Sequence, residues 1–110
     1  MNELDCTELV YKFACKGCSM SYIGETKRAL NTRLEDHIKN KNPKSVVSLH
    51  KSDEHKFDWD KVIILDRESH WYKRQISEML FISCEDNALN KKEDIKSLNR
   101  IYRNILNTFE

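Results

Sequence analysis

The chain has 110 residues, a length that suits one domain with a modest core. Apolar residues make up 39% and charged residues 34%, with two Gly, one Pro and a mean hydropathy of −0.73, which excludes collagen-like and low-complexity chains. The net charge of +1 gives no overall pull toward polyanions, no apolar run approaches the roughly 18–20 residues of a membrane helix, and the acid-bearing start MNELDCTELV does not resemble a secretory leader, so an intracellular protein without membrane contact is expected.

Residues 8–14, ELVYKFA, are rich in β-formers and aromatics and predict a strand. Lys16-Gly17-Cys18 predicts a turn, and Met20 to Gly24 a second short strand ending at the glycine. So few residues separate the two that an antiparallel hairpin is the natural join. Thr26 is placed to cap a helix over 27–40, in which Leu30, Leu34, His37 and Ile38 recur at helical spacing between charges. Asn42-Pro43 stops it. Ser45 to Lys51 predicts a short helix, capped by Ser45 and apolar at Val46, Val47 and Leu49. Residues 52–60 form a loop with Phe57 and Trp59 as core anchors, and Lys61 to Leu65, KVIIL, predicts a buried strand. Ser69 to Ser83 predicts a helix with Trp71, Tyr72, Ile76, Met79 and Leu80 near one face. A loop with Asn87 and Asn90 follows, then a last helix over 92–106, striped by Ile95, Leu98, Ile101, Tyr102 and Ile105. The order β-β-α-α-β-α-α fits a single α/β (α+β) domain over 1–110, a small three-stranded antiparallel sheet flanked by helices, with no internal repeat or linker.

Four cysteines stand at positions 6, 15, 18 and 84. Cys15 and Cys18 form a CxxC pair, which in a chain without an export signal points to metal or redox chemistry before a disulfide. His50 and His55 follow at a spacing within the range of structural zinc sites. The helix over 27–40 occupies the gap, so such a site is assembled from the hairpin tip and the loop after the second helix. Two thiolates and two imidazoles close a tetrahedron and leave no open position. A metal there staples the fold, its binding free energy becoming folding free energy. The spacing alone leaves a redox CxxC, or free thiols beside two loop histidines, equally open. Cys6 and Cys84 lack partners at metal spacing and read as free thiols, Cys84 facing the core. His70 opens a helix and takes no role.

Between Lys27 and Lys44, six basic residues stand against Glu35 and Asp36. A local basic surface meets phosphate even in a neutral chain, but from charge alone a solvated helix face is the simpler account. Arg33 and His37 share a helix face at i,i+4 and project toward the strands that carry Tyr11 and Tyr22-Ile23-Gly24. Glu78 stands four residues after Arg74, which is also the spacing of an ordinary helical ion pair. Each of these residues has a plain structural reading when taken alone.

Taken together and in order, they resemble a GIY-YIG endonuclease domain. The resemblance rests on Tyr11 in Val10-Tyr11-Lys12, on Tyr22-Ile23-Gly24-Glu25-Thr26, and on Arg33, His37, Glu78 and Asn90, over about residues 8–92. More narrowly, Cys15 and Cys18 between the two tyrosine motifs, with His50 and His55 later, resemble the endonuclease domain of Penelope-like retroelements, as do YIGETKRALNTRLEDH and HKFDW. Val10-Tyr11-Lys12 departs from Gly-Ile-Tyr; Tyr11 is aligned with the first-motif tyrosine.

The resemblance implies a metal-dependent DNA endonuclease, a phosphodiester hydrolase that makes nicks or staggered cuts. It implies Glu78 as the carboxylate for Mg²⁺ or Mn²⁺, which neutralises charge on the phosphate, and Arg33 as the cation facing the transition state. Tyr11, Tyr22 and His37 are candidates, unranked, to orient and deprotonate water. Asn90 holds a phosphate or braces the site, and Lys27, Arg28 and Lys39 are candidate DNA contacts. A structural Zn²⁺ at Cys15, Cys18, His50 and His55, DNA as partner, a reverse transcriptase domain in a longer parent protein and a nuclear location are implied as well. The altered first motif favours an alternative: a catalytically inactive zinc-stapled nucleic-acid-binding or protein-interaction module of the same fold.

Overall fold

A computed structural model describes residues 3–40, 42, 45–52 and 54–90. The helix expected over 92–106 and the proline at 43 lie outside them.

The sheet has three strands in the order β2-β1-β3, both pairings antiparallel. Strand β1 (Leu9–Ala14) is central. Leu9, Val10, Tyr11 and Phe13 are all buried, because helices cover both faces of this strand. Strand β2 (Ser21–Thr26) joins it by the expected hairpin, with Tyr11 opposite Gly24 and Phe13 opposite Tyr22. It runs on through Gly24 to Thr26 instead of ending at the glycine. Strand β3 (Ile63–Arg67) lies two residues later than expected and is an edge, not a buried strand: Ile63 is half exposed. Apolar content alone cannot tell a central strand from an edge. The β1–β3 pairing slips between Val10 and Tyr11, a bulge beside one of the candidate residues.

One face of the sheet carries Leu9, Tyr11, Phe13 and Cys15, packed with Leu30 and Leu34 of α1 (Leu30–Lys39), Val47 of α2 (Val46–His50) and Phe57. Helix α1 starts later than expected. Thr26 does not cap it; its hydroxyl accepts from the Arg28 N–H at 3.1 Å, and Ala29 precedes the helix without a side-chain cap. The Leu30 N–H, one of the groups a helix start leaves unpaired, donates instead to the Cys6 carbonyl at 2.9 Å. At the other end, the Lys51 ammonium donates to the carbonyls of His37, Ile38 and Asn40, a favourable charge for a helix C-terminus. His37 is buried while Ile38 is half exposed, so the apolar stripe is rotated from its expected position. Ser45 caps α2 as expected, accepting from the Ser48 N–H, though Leu49 faces solvent. Phe57 is a core anchor and Trp59 packs against it, 5.5 Å between ring centroids.

The opposite face carries Val10 and Ile23 against Ile82 and Ala88, covered by α3 (Trp71–Cys84). The expected stripe holds only in part: Met79 is buried, but Trp71, Tyr72 and Leu80 are exposed, and Arg74 and Ile82 are buried in their place. Arg74 is tolerated inside because its Nε donates to Glu25 Oε2 at 2.6 Å and its Nη1 donates to the carbonyls of Glu68 and Ser69. A buried guanidinium needs such partners. Lys12, on the same face, pairs with Glu85 just past α3 at 2.6 Å. Cys84 is exposed, contrary to expectation, while Cys6 is buried. The chain then follows β2, where Ser21 and Ala88 form a parallel bridge.

Candidate functional site

The first group surrounds Gly24. Tyr11 lies wholly inside the protein, and its hydroxyl meets His37 Nε2 at 2.7 Å. The rings of Tyr11, Phe13, Tyr22 and His37 form one cluster, with Tyr22 and His37 centroids 5.0 Å apart and edge-on. The cluster exists because position 24 has no side chain. A Cβ there would stand 2.6 Å from the Tyr11 hydroxyl and 2.8 Å from the Tyr22 ring.

Arg33, one turn before His37, is half-buried, lies 4.0 Å from Asp36, and bears on Tyr11 through its charge. Burial works against its charge, but Tyr11, Tyr22 and Asp36 outweigh this and its pKa rises. Burial, with Tyr22, pushes the Tyr11 phenol far above its ordinary value; Arg33 offsets only part of this. Burial, with the charges of Arg33 and Lys51, lowers the His37 imidazole to about 4. At neutral pH the centre therefore holds a fixed cation, a protonated phenol and a neutral imidazole. One hydrogen bond joins the phenol to Nε2 and leaves Nδ1 as the second ring nitrogen. That buried Nδ1 has no hydrogen-bond partner among the described residues.

Glu78, half-buried on α3, is the carboxylate whose field reaches Tyr11. Arg74, four residues before it, takes Glu25 as ion-pair partner. Asn90 is buried, and its Nδ2 donates to the Ile23 carbonyl at 2.7 Å, between Tyr22 and Gly24. Asn90 thus braces β2 from behind. Lys27, Arg28 and Lys39 are exposed on or beside α1, with Arg28 paired to Asp36.

The second group is a Cys/His cluster. Ligand atoms of Cys15, Cys18, His50 and His55 all lie within 4.8 Å of one another. Cys15 Sγ is 3.6 Å from His55 Nδ1, and Cys18 Sγ is 3.3 Å from His50 Nε2. A tetrahedral ion with sulfur at about 2.3 Å and nitrogen at about 2.0–2.1 Å has an S···N edge of about 3.6 Å. The four side chains therefore fit a metal ion such as zinc. Burial and the neighbouring His55 lower the His50 pKa, which favours the neutral, ligating imidazole. The Gly17 N–H donates to Cys15 Sγ at 3.3 Å, a contact that stabilises a thiolate. As the spacing required, the cysteines come from the hairpin tip, His50 from the end of α2 and His55 from the following loop.

Sequence reasoning missed what the two glycines do. The chain has only these two, and each stands where a side chain would collide, Gly24 in the tyrosine cluster and Gly17 in the Cys/His cluster. Their scarcity was the available signal.

No protein-family model, curated protein or solved structure matches the chain.

Proposed function

We propose that this chain is a metal-dependent DNA endonuclease domain of the GIY-YIG type, like those of Penelope-like retroelements, stapled by zinc at Cys15, Cys18, His50 and His55. The observation that carries this reading is the gathering of Tyr11, Tyr22 and His37 around Gly24, with Arg33 one turn before His37 on the same helix. Those residues lie on three separate elements, and packing alone gives no reason for a half-buried guanidinium among them.

In this reading Arg33 forks onto two phosphate oxygens and meets the charge that grows in the transition state. Tyr22 is the partly accessible phenol and orients the attacking water. Tyr11, fully buried and held protonated, acts through Arg33 and His37 and keeps both in place. Glu78 would hold a magnesium or manganese ion, which would supply charge neutralisation at the phosphate and its leaving oxygen. Asn90 braces β2 and does not touch substrate.

The test is conversion of supercoiled plasmid by zinc-loaded protein with Mg²⁺ or Mn²⁺, beside Glu78→Ala. Relaxed or linear product from the wild-type protein, with at least a hundredfold loss in the variant, is the expected result. Equal conversion by both proteins, or none by the wild type, overturns it. The altered first motif, in which Lys12 points to the far face and pairs with Glu85, favours a second reading: a non-catalytic nucleic-acid-binding module of the same fold. Salt-dependent DNA binding without any cleavage is its signature.

A further inference from the structure

Two short segments meet beside the Cys/His cluster. Cys15 and Phe57 form an isolated antiparallel bridge. The Lys16 N–H donates to the Lys56 carbonyl at 2.7 Å, and the Asp58 N–H to the Ala14 carbonyl at 2.8 Å. This register sets Lys16 directly across from Lys56. Like charges in that relation repel and cost stability. Both lysines are exposed, and neither has an ion-pair partner among the described residues. They line a recess of about 350 Å³ with Ile38, Lys51 and Trp59, and no carboxylate among the described residues lines it. Lys51 adds charge there but spends its N–H groups on the end of α1.

The recess adjoins the tyrosine cluster. Ile38 follows His37, and the Phe13 ring lies 6.2 Å from Tyr11 and 4.8 Å from Trp59. Each lysine also directly follows a candidate metal ligand, Lys16 after Cys15 and Lys56 after His55. We propose that Lys16 and Lys56 form a clamp for a backbone phosphate of DNA flanking the cleaved bond, held in register by the Cys/His metal group. The clamp rests on the reading of the chain as DNA-binding. A strand whose reacting phosphate sits at Arg33 carries further phosphates on both sides, and a lysine pair without a counter-acid among the described residues is complementary to them.

The test is binding of a labelled duplex oligonucleotide to the zinc-loaded protein across a salt series, without Mg²⁺ or Mn²⁺. The double variant Lys16→Gln/Lys56→Gln is expected to bind about tenfold more weakly, with the slope of log affinity against log salt reduced by about 2. Lys61→Gln/Lys73→Gln removes the same charge from other exposed positions and is expected to keep the wild-type slope. Equal weakening in both variants, or wild-type binding by the first, overturns the clamp. Lys56→Glu is expected to weaken binding while raising the melting temperature by about 1–3 °C through relief of the repulsion; a lowered melting temperature assigns the pair a structural role and overturns the proposal. A free-phosphate site is separated by Trp59 emission in a Trp71→Phe background. Emission that shifts with micromolar oligonucleotide but only with millimolar inorganic phosphate supports the clamp, and equal sensitivity overturns it. These measurements need no turnover. Intact clamp binding without cleavage overturns the nuclease reading alone, and cleavage with an unchanged salt slope overturns the clamp alone.

Discussion

Gly17 packs so closely on Glu54 that a Cβ would stand 1.8 Å from the Glu54 carbonyl oxygen. The contact joins the two halves of the Cys/His cluster, since Gly17 lies between Cys15 and Cys18 and Glu54 precedes His55. The obstacle is backbone, so the hairpin tip and the loop must separate to admit even a methyl group. Gly17→Ala is expected to lower stability by about 1–3 kcal/mol, the range of an overpacked site, and to weaken zinc binding at least tenfold. Denaturant melts and zinc competition with a chelator check both; an unchanged zinc affinity would show that the halves are joined by other means.

Metal content tests the cluster directly. Purified, reduced protein is expected to carry about one zinc per chain, and a strong chelator to lower its melting temperature. Cys15→Ala is expected to cost more stability than Cys6→Ala although both thiols are buried, because only the first removes a ligand and its binding free energy. Similar melting temperatures for the two variants would count against a staple.

The buried His37 makes stability depend on pH. Its imidazole titrates near 6.5 in the unfolded chain and at about 4 in the folded protein. The unfolded state therefore takes up the proton first as pH falls. Stability from the neutral imidazole is full above pH 6.5 and is lost between 6.5 and 4, on the order of 3 kcal/mol in all. His37→Gln is expected to flatten this dependence in urea melts from pH 7.5 to 4.5. Parallel curves for variant and wild type would remove His37 as the source.

How much of this was legible in the sequence follows from how local each determinant is. The hairpin, the helix pattern from Leu30 to Leu34 and the CxxC with its histidine pair depend on spacing along the chain, and they were read correctly. The burial of Arg74 was not legible, because it depends on Glu25, far away in sequence and brought close by β2. The edge position of β3 was missed for a similar reason: KVIIL is apolar enough for a centre strand, and only the pairing order puts it outside. His37 and Ile38 compete for the same side of α1, and the imidazole wins because Tyr11 offers it a hydrogen bond.

Gly24 offers a test that removes no candidate catalytic group. Gly24→Ala puts a methyl group against the Tyr11 hydroxyl and the Tyr22 ring. Displacement of either phenol is expected to reduce plasmid cleavage about a hundredfold, with a stability loss of about 1–3 kcal/mol. Tyr11→Phe makes the complementary change. It leaves His37 Nε2 buried without its partner, at a cost of about 1–3 kcal/mol, and cleavage is expected to fall with it. Wild-type cleavage by both variants would show that the tyrosine cluster is packing and nothing more.

Tyr11 and Cys15 are separated by four positions and face the same way off one central stretch of backbone. A slip of a single residue in how that stretch aligns with its neighbours would carry both to the opposite face of the sheet together. A folding error of that kind displaces the Cys15 thiol and the Tyr11 phenol at once, so metal uptake by the cluster would also report on whether the tyrosine is seated.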